Sequence, residues 1–264
     1  MGTSASSKGP GSGIPLVPEW VPSAPGQQPS PAAGANPPAV APAGRFRPAR
    51  TSLGRYGRSG GPRDLRRGLG HYSRKGLGGA ASAAQRMAGT ARTAGGLYGV
   101  LDALSTGAPL PTDVTLNPAS LAGRTQKEIA DIIVEALRPV DGTQDTEGAR
   151  DSVSRALSEV LAHNPNADLA ALTPPEIDLV IESYIAGDLA QRIEFDVGQA
   201  ILDKAPNYAQ GVDRLEEMKS YVRQEVARAF RARANVGQTM NRQVASELAN
   251  DIIRDTFEIF ESYL

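Results

Sequence analysis

The sequence contains no cysteine, so disulfides, thiolate metal ligands and cysteine nucleophiles are excluded. Histidine occurs only at His71 and His163, in unrelated contexts and with no carboxylates at ligand spacing, which leaves no zinc signature. No apolar run approaches the roughly 18 residues that a membrane helix needs. The first residues have no stretch resembling a secretory h-region, so the chain is expected to be cytoplasmic. Neither a Gly-x-Ser-x-Gly elbow nor a Gly-x-x-x-x-Gly-Lys-[Ser/Thr] loop is present. Gly9, Gly11 and Gly13 imitate a phosphate loop only superficially, because no strand precedes them and Pro10 and Pro15 break the frame. Acids such as Glu216, Glu217 and Asp251 share helices with Arg214, Lys219 and Arg254, where pairing along a solvated face accounts for them. No catalytic residue, metal or cofactor is expected, and the chain reads as a non-enzyme.

What is present is strongly polarised. The formal net charge is only −1 over 264 residues. Residues 1–101 nevertheless hold 13 of the 28 basic and 2 of the 29 acidic residues, a net of +11; residues 102–264 hold the other 15 and 27, a net of −12. A chain with such poles either folds the basic segment back on the acidic one or offers it to an acidic partner.

Residues 1–44 are mostly Gly, Pro, Ala and Ser and cannot bury enough apolar surface to offset chain entropy, so a disordered tail with polyproline II character is expected. One apolar island, Ile14 to Pro22, interrupts it and holds the single Trp of the chain. Leu16, Val17 and Trp20 are its candidate docking residues, since preformed extended segments enter grooves at low entropic cost. Residues 45–78 form a basic segment with Arg45, Arg47, Arg50, Arg55, Arg58, Arg66, Arg67, Arg74 and Lys75. Within it Leu53-Gly54-Arg55-Tyr56-Gly57-Arg58-Ser59-Gly60 returns as Leu69-Gly70-His71-Tyr72-Ser73-Arg74-Lys75-Gly76. Two copies are too few for a solenoid. They suit a pair of helical turns, each offering a Tyr and an Arg.

Residues 79–106 are rich in Ala and Gly and form a helix that permits close backbone approach, ended by Gly107, Pro109 and Pro111. Residues 120–264 read as an acidic all-helical domain. Thr125-Gln126-Lys127-Glu128 is a capping box ahead of Ile129, Ile132, Ile133 and Leu137. Thr146 or Asp145 caps a second helix with Val153, Leu157, Val160 and Leu161. Thr173-Pro174-Pro175-Glu176 opens a long third helix that continues toward Pro206, with Gly187 and Gly198 able to bend or divide it. Two more run from about 211 to 234 and about 241 to 262. No stretch alternates with period two, so the fold class is all-α: a C-terminal helical bundle preceded by a Pro/Gly-rich tail and a basic segment.

Two contacts suit the basic segment. Arginines interleaved with Tyr56 and Tyr72 fit phosphate neutralisation plus base stacking, the pattern of a nucleic-acid-binding adaptor. A basic surface equally fits an acidic protein. The start, Met1-Gly2-Thr3-Ser4-Ala5-Ser6, permits Met removal and would expose Gly2 as an α-amine of pKa about 7.7–8.0, partly neutral at cellular pH. It also matches the N-myristoylation pattern, which needs a second membrane signal to anchor a protein.

Gly2-Thr3-Ser4, the glycine-rich run into Pro15-Leu16-Val17-Pro18 and Trp20, Phe46-Arg47 ahead of Thr51-Ser52-Leu53-Gly54-Arg55, Leu65-Arg66-Arg67 with Leu69-Gly70-His71-Tyr72, and Gly78-Gly79-Ala80 form a pattern. Together they resemble the QatB family of the bacterial Qat anti-phage defence systems. The resemblance covers roughly residues 1–105, and the helical remainder is similar only in style. It implies a complex with a QueC-like enzyme (QatC), together with an ATPase (QatA) and a TatD-like nuclease (QatD). It further implies that Gly2 could accept a deazaguanine-type amide, because QueC-type enzymes activate a deazaguanine carboxylate and amidate it. The chain would then be a non-enzymatic scaffold whose N-terminal glycine is the substrate.

Overall fold

A computed structural model describes residues 15–17, 21, 25, 40–140, 143–233 and 240–264. The expected disorder of residues 1–44 therefore lies almost entirely outside the described residues, as do Gly2 and Trp20. Among those described, all regular secondary structure is helical, apart from one isolated antiparallel bridge between Pro15 and Val40.

Two helices arise from the basic segment. Helix α1 (Arg47–Ser59) begins with Pro48 in its first turn and stops at Gly60, whose φ of 70° is the left-handed conformation that a side chain would resist. Helix α2 (Pro62–His71) starts on Pro62 and runs into a π-helical turn, Tyr72–Leu77, closed by Gly78 and Gly79, both at positive φ. The small-residue stretch follows as two helices rather than one. Helix α3 (Ala80–Arg86) and helix α4 (Ala88–Thr106) meet at Met87.

The acidic half follows its local signals closely. Helix α5 (Gln126–Leu137) opens on the Thr125 capping box, the Thr125 N–H donating to Glu128 at 2.9 Å. Helix α6 (Gln144–His163) is capped by Thr143, whose hydroxyl accepts from the Thr146 N–H at 3.2 Å; this corrects the cap expected at Thr146 or Asp145. The correction follows from backbone geometry, since Thr143 is the extended residue and position 144 is already helical. Helix α7 (Pro174–Ile193) has Glu176 reaching back to the Thr173 N–H at 2.8 Å. The long third helix is divided near Gly198, by a π turn over Glu194–Gly198 and a short helix α8 (Gln199–Leu202). Helices α9 (Tyr208–Arg233) and α10 (Arg242–Glu261) complete the chain.

One apolar cluster joins all of these, from Phe46, Leu53 and Leu69 through Leu97, Ile133, Leu157 and Tyr184 to Met218, Phe257 and Phe260. Helix α4 crosses α10 so closely that a Cβ at Gly95 would stand 2.6 Å from the Arg242 carbonyl oxygen. There the Ser246 hydroxyl donates to the Ala91 carbonyl at 3.0 Å. Buried Asp188 ties α4 to α7, accepting from the Thr90 hydroxyl at 2.6 Å and from Arg192 Nε at 2.8 Å. Helix α1 lies on α8 in the same fashion: a Cβ at Gly57 would sit 2.9 Å from Ile201 Cα. The basic segment is thus part of the body that the acidic helices form, not an appendage to it.

Gly57 and Gly187 make an informative pair. Gly57→Ala forces a methyl into the Ile201 main chain and is expected to destabilise by about 1–3 kcal/mol. Gly187→Ala adds a methyl in mid-helix with nothing nearer than Ser152 at 4.0 Å, and is expected to stabilise by about 0.5–1 kcal/mol. Urea denaturation of the two variants beside the parent checks both signs.

Candidate functional site

The cations of the basic segment part into two groups. Arg45, Arg47, Arg50, Arg55 and Arg58 line a cleft of about 620 Å³ between α1 and the stretch from Phe195 to Lys204. Arg66, Arg67, Arg74 and Lys75 lie outside it, on α2 and the π turn that follows. Arg66 stacks over Tyr221 and Tyr263 at 5.8 and 5.6 Å from their ring centroids, while Arg67, Arg74 and Lys75 project to solvent.

Residues of the first group differ in environment. Arg47, Arg55 and Arg58 are exposed. Arg50 donates through Nη2 to the Asp196 carbonyl at 2.9 Å. Arg45 is buried, with only 5 % of its surface exposed, and its guanidinium carbon lies 4.8 Å from the Phe46 centroid. None of its three guanidinium nitrogens has a hydrogen-bond partner among the described residues. Burial, and then Arg86 nearby, lower its pKa from the ordinary guanidinium value; Asp196 and Tyr72 pull the other way. Leaving such a group without hydrogen bonds is costly, which marks this wall of the cleft as unusual.

The two tyrosines are not where the sequence reading put them. Tyr56 and Tyr72, expected to present their rings to a ligand, are buried at 2 % and 0 % exposure. Tyr56 donates its hydroxyl to Glu217 at 2.7 Å and Tyr72 donates to Asp196 at 2.8 Å. The imperfect repeat is therefore a repeated fastening. Leu53 and Leu69 enter the core, each Tyr binds a carboxylate from the acidic half, and Arg58 and Arg74 face outward. The reason is helical spacing: Leu and Tyr three residues apart share a face, and that face is the one the bundle covers.

Around Tyr72 the electrostatics are tight. Burial raises the Asp196 carboxyl pKa, against the Tyr72 hydrogen bond and the charges of Arg86, Arg45 and Arg192, which lower it. Burial raises the Tyr72 phenol well above its ordinary value, reinforced by Asp196.

Of the apolar island, Leu16 is docked on its own chain. Its carbonyl accepts from Arg86 Nη1 at 3.0 Å, and its side chain lies over Gly78, where a Cβ would meet Leu16 Cδ1 at 2.6 Å. Val17 is half-buried. Cleft residues not singled out from sequence are Phe195, Asp196, Asp203 and Lys204, all contributed by the acidic half. Their only sequence signal is Gly198, where the long helix is divided. Among the described residues no cluster of three or more His, Cys, Asp or Glu side chains is placed to hold a metal ion. No described helix is long and apolar enough to cross a membrane.

A family model described as "QatB: Qat anti-phage system associated protein QatB" matches residues 78–260. The matched stretch begins at Gly78 and covers most of the helical body, whereas the residues that carried the resemblance in the sequence lie mainly before it. No curated protein and no solved structure matches the chain.

Tyr72→Phe leaves half-buried Asp196 without its hydroxyl donor and is expected to cost about 1–3 kcal/mol of stability, whereas Tyr56→Phe costs less than about 1 kcal/mol because water can reach exposed Glu217. Because the lost bond favours ionised Asp196, the Tyr72→Phe deficit should be largest above the native pKa of Asp196 and shrink as acid protonates that carboxyl. Denaturation curves at several pH values read both effects.

Proposed function

The chain belongs to the QatB family, a component of an anti-phage defence system, and on that premise we propose that it is a non-enzymatic subunit that binds a QueC-like partner and presents Gly2 for modification. The observation that carries this reading is the family match over residues 78–260. The fold offers what a presenting subunit needs. A single apolar cluster from Phe46 to Phe260 makes a firm platform, and Leu16 fastens the end of the tail to it through Gly78 and Arg86. From that anchor, the fourteen residues from Gly2 to Pro15 can span at most about 50 Å. A glycine α-amine is unhindered and partly neutral at cellular pH, so it can stand in for ammonia at an activated deazaguanine-type carboxylate.

A second reading, a nucleic-acid-binding adaptor acting through residues 45–78, is favoured by exposed Arg47, Arg55 and Arg58 around one cleft. It loses its stacking residues, because Tyr56 and Tyr72 are committed to Glu217 and Asp196. Its affinity would fall steeply with salt, with a slope of about −0.7 per neutralised phosphate of a single strand.

Intact mass and peptide mass spectrometry of the chain, purified with and without a QueC-like partner, separate these possibilities. The expected result is an added deazaguanine-type mass on Gly2 that appears only with the partner. An unmodified N-terminal peptide in both preparations would remove Gly2 from the mechanism.

A further inference from the structure

We propose that the cleft between α1 and residues 195–204 binds a small phosphate-bearing ligand with an aromatic ring, of the nucleoside di- or triphosphate class. The cleft gathers six cations, Arg45, Arg47, Arg50, Arg55, Arg58 and Lys204, against two acids, Asp196 and Asp203. That excess of positive charge stands out on a chain whose net charge is −1.

Three further features point to a ligand rather than to a solvated basic face. Arg45 is the first. It lies in the cleft wall, its three guanidinium nitrogens making no hydrogen bond among the described residues, and only 5 % of its surface is exposed. A buried cation that lacks hydrogen bonds raises the potential of the cavity it borders, which favours an anion there. The second is the start of α1, which enters the cleft with no acidic residue in its first turn and no side chain capping it. Its dipole adds to the same field, although the Arg47 N–H is taken by the Gly44 carbonyl at 2.8 Å and Pro48 has no N–H to offer. The third is Phe195, 42 % exposed on the wall opposite α1 and presented by the π turn. Exposed phenylalanine beside clustered arginines gives a stacking face next to a phosphate site. Irregular π turns of this kind are frequent at functional sites.

Size and charge choose the ligand class. A cavity of about 620 Å³ falls within the range that encloses one drug-sized molecule. Asp196 and Asp203 inside it, and the acidic helices around it, disfavour a long polyanion running past the cleft. Arg47, Arg55, Arg58 and Lys204 are exposed and free to close on a phosphate chain, while Arg45 acts through the wall as a positioning charge.

Isothermal calorimetry on the full chain tests the assignment, with ATP, inorganic phosphate and single-stranded oligonucleotides of increasing length as probes. The expected result is saturable 1:1 binding of ATP, weakened about tenfold or more in the Arg55→Glu/Lys204→Glu double variant. Phe195→Ala should weaken ATP several-fold through lost stacking and leave phosphate binding unchanged. All three positions are exposed, and unchanged melting temperatures would show that the variants remain folded. Absence of saturable ATP binding at millimolar concentration would overturn the proposal, as would binding indifferent to the double variant. Phosphate binding as tight as ATP would sink the aromatic subsite, and affinity that climbs with oligonucleotide length would assign the cleft to nucleic acid instead. None of these outcomes bears on the mass of the N-terminal peptide, so the cleft and the Gly2 reading stand or fall separately.

Discussion

Close approach of backbones at a few glycines is the constraint on which the rest of the molecule depends. At Gly57 the α1 backbone lies against Ile201, at Gly70 the α2 backbone lies against Phe260, and at Gly95 α4 lies against Arg242. A Cβ at any of these would stand within 3 Å of a main-chain atom, and main chain in the middle of a bundle cannot move aside. In that arrangement the Tyr56 and Tyr72 hydroxyls reach Glu217 and Asp196. The basic helices are consequently held against the acidic ones, and opposite poles of the chain are partly neutralised within one body.

Neutralisation is uneven, and the remainder has a definite place. Along α2 the cations are exposed or stacked, as Arg66 is over Tyr221 and Tyr263. Along α1 they face a cleft whose other wall supplies one lysine and two carboxylates. Arg45 is the sharpest instance. Its guanidinium is buried on Phe46 with Asp196 near enough to oppose the lowering of its pKa, yet it makes no hydrogen bond among the described residues. Both π turns among the described residues converge on this region, one carrying Tyr72 and the other Asp196, and the bond between those residues joins them.

The family match and the cleft divide the chain differently. Residues 78–260 supply Phe195, Asp196, Asp203 and Lys204, while α1 and its arginines precede the matched stretch. The same holds for both Tyr–carboxylate fastenings, each with one residue on either side of Gly78. The N-terminal helices are thus fitted onto the matched body through polar and glycine-mediated contacts.

Local information was enough to read the helices of the acidic half. Capping boxes at Thr125 and Thr173 satisfy backbone groups within three residues, and the apolar positions Val153, Val180, Met218 and Phe257 follow the helical period that buries them. The Leu-Gly-x-Tyr repeat was equally visible as a pattern, and the charge polarity as a count. The direction of the tyrosines was not visible, because their partners are 161 and 124 residues away and nothing local announces a carboxylate that distance along the chain. The cleft was hidden for the same reason, since one of its walls belongs to a distant segment that read as the end of a long helix, bent or divided at Gly198. The sequence by itself determined an all-helical chain with a basic and an acidic pole. Which cations are buried, which are paired and which border the cleft was decided only by tertiary packing, because burial and charge pairing are set by distances in space between residues far apart along the chain.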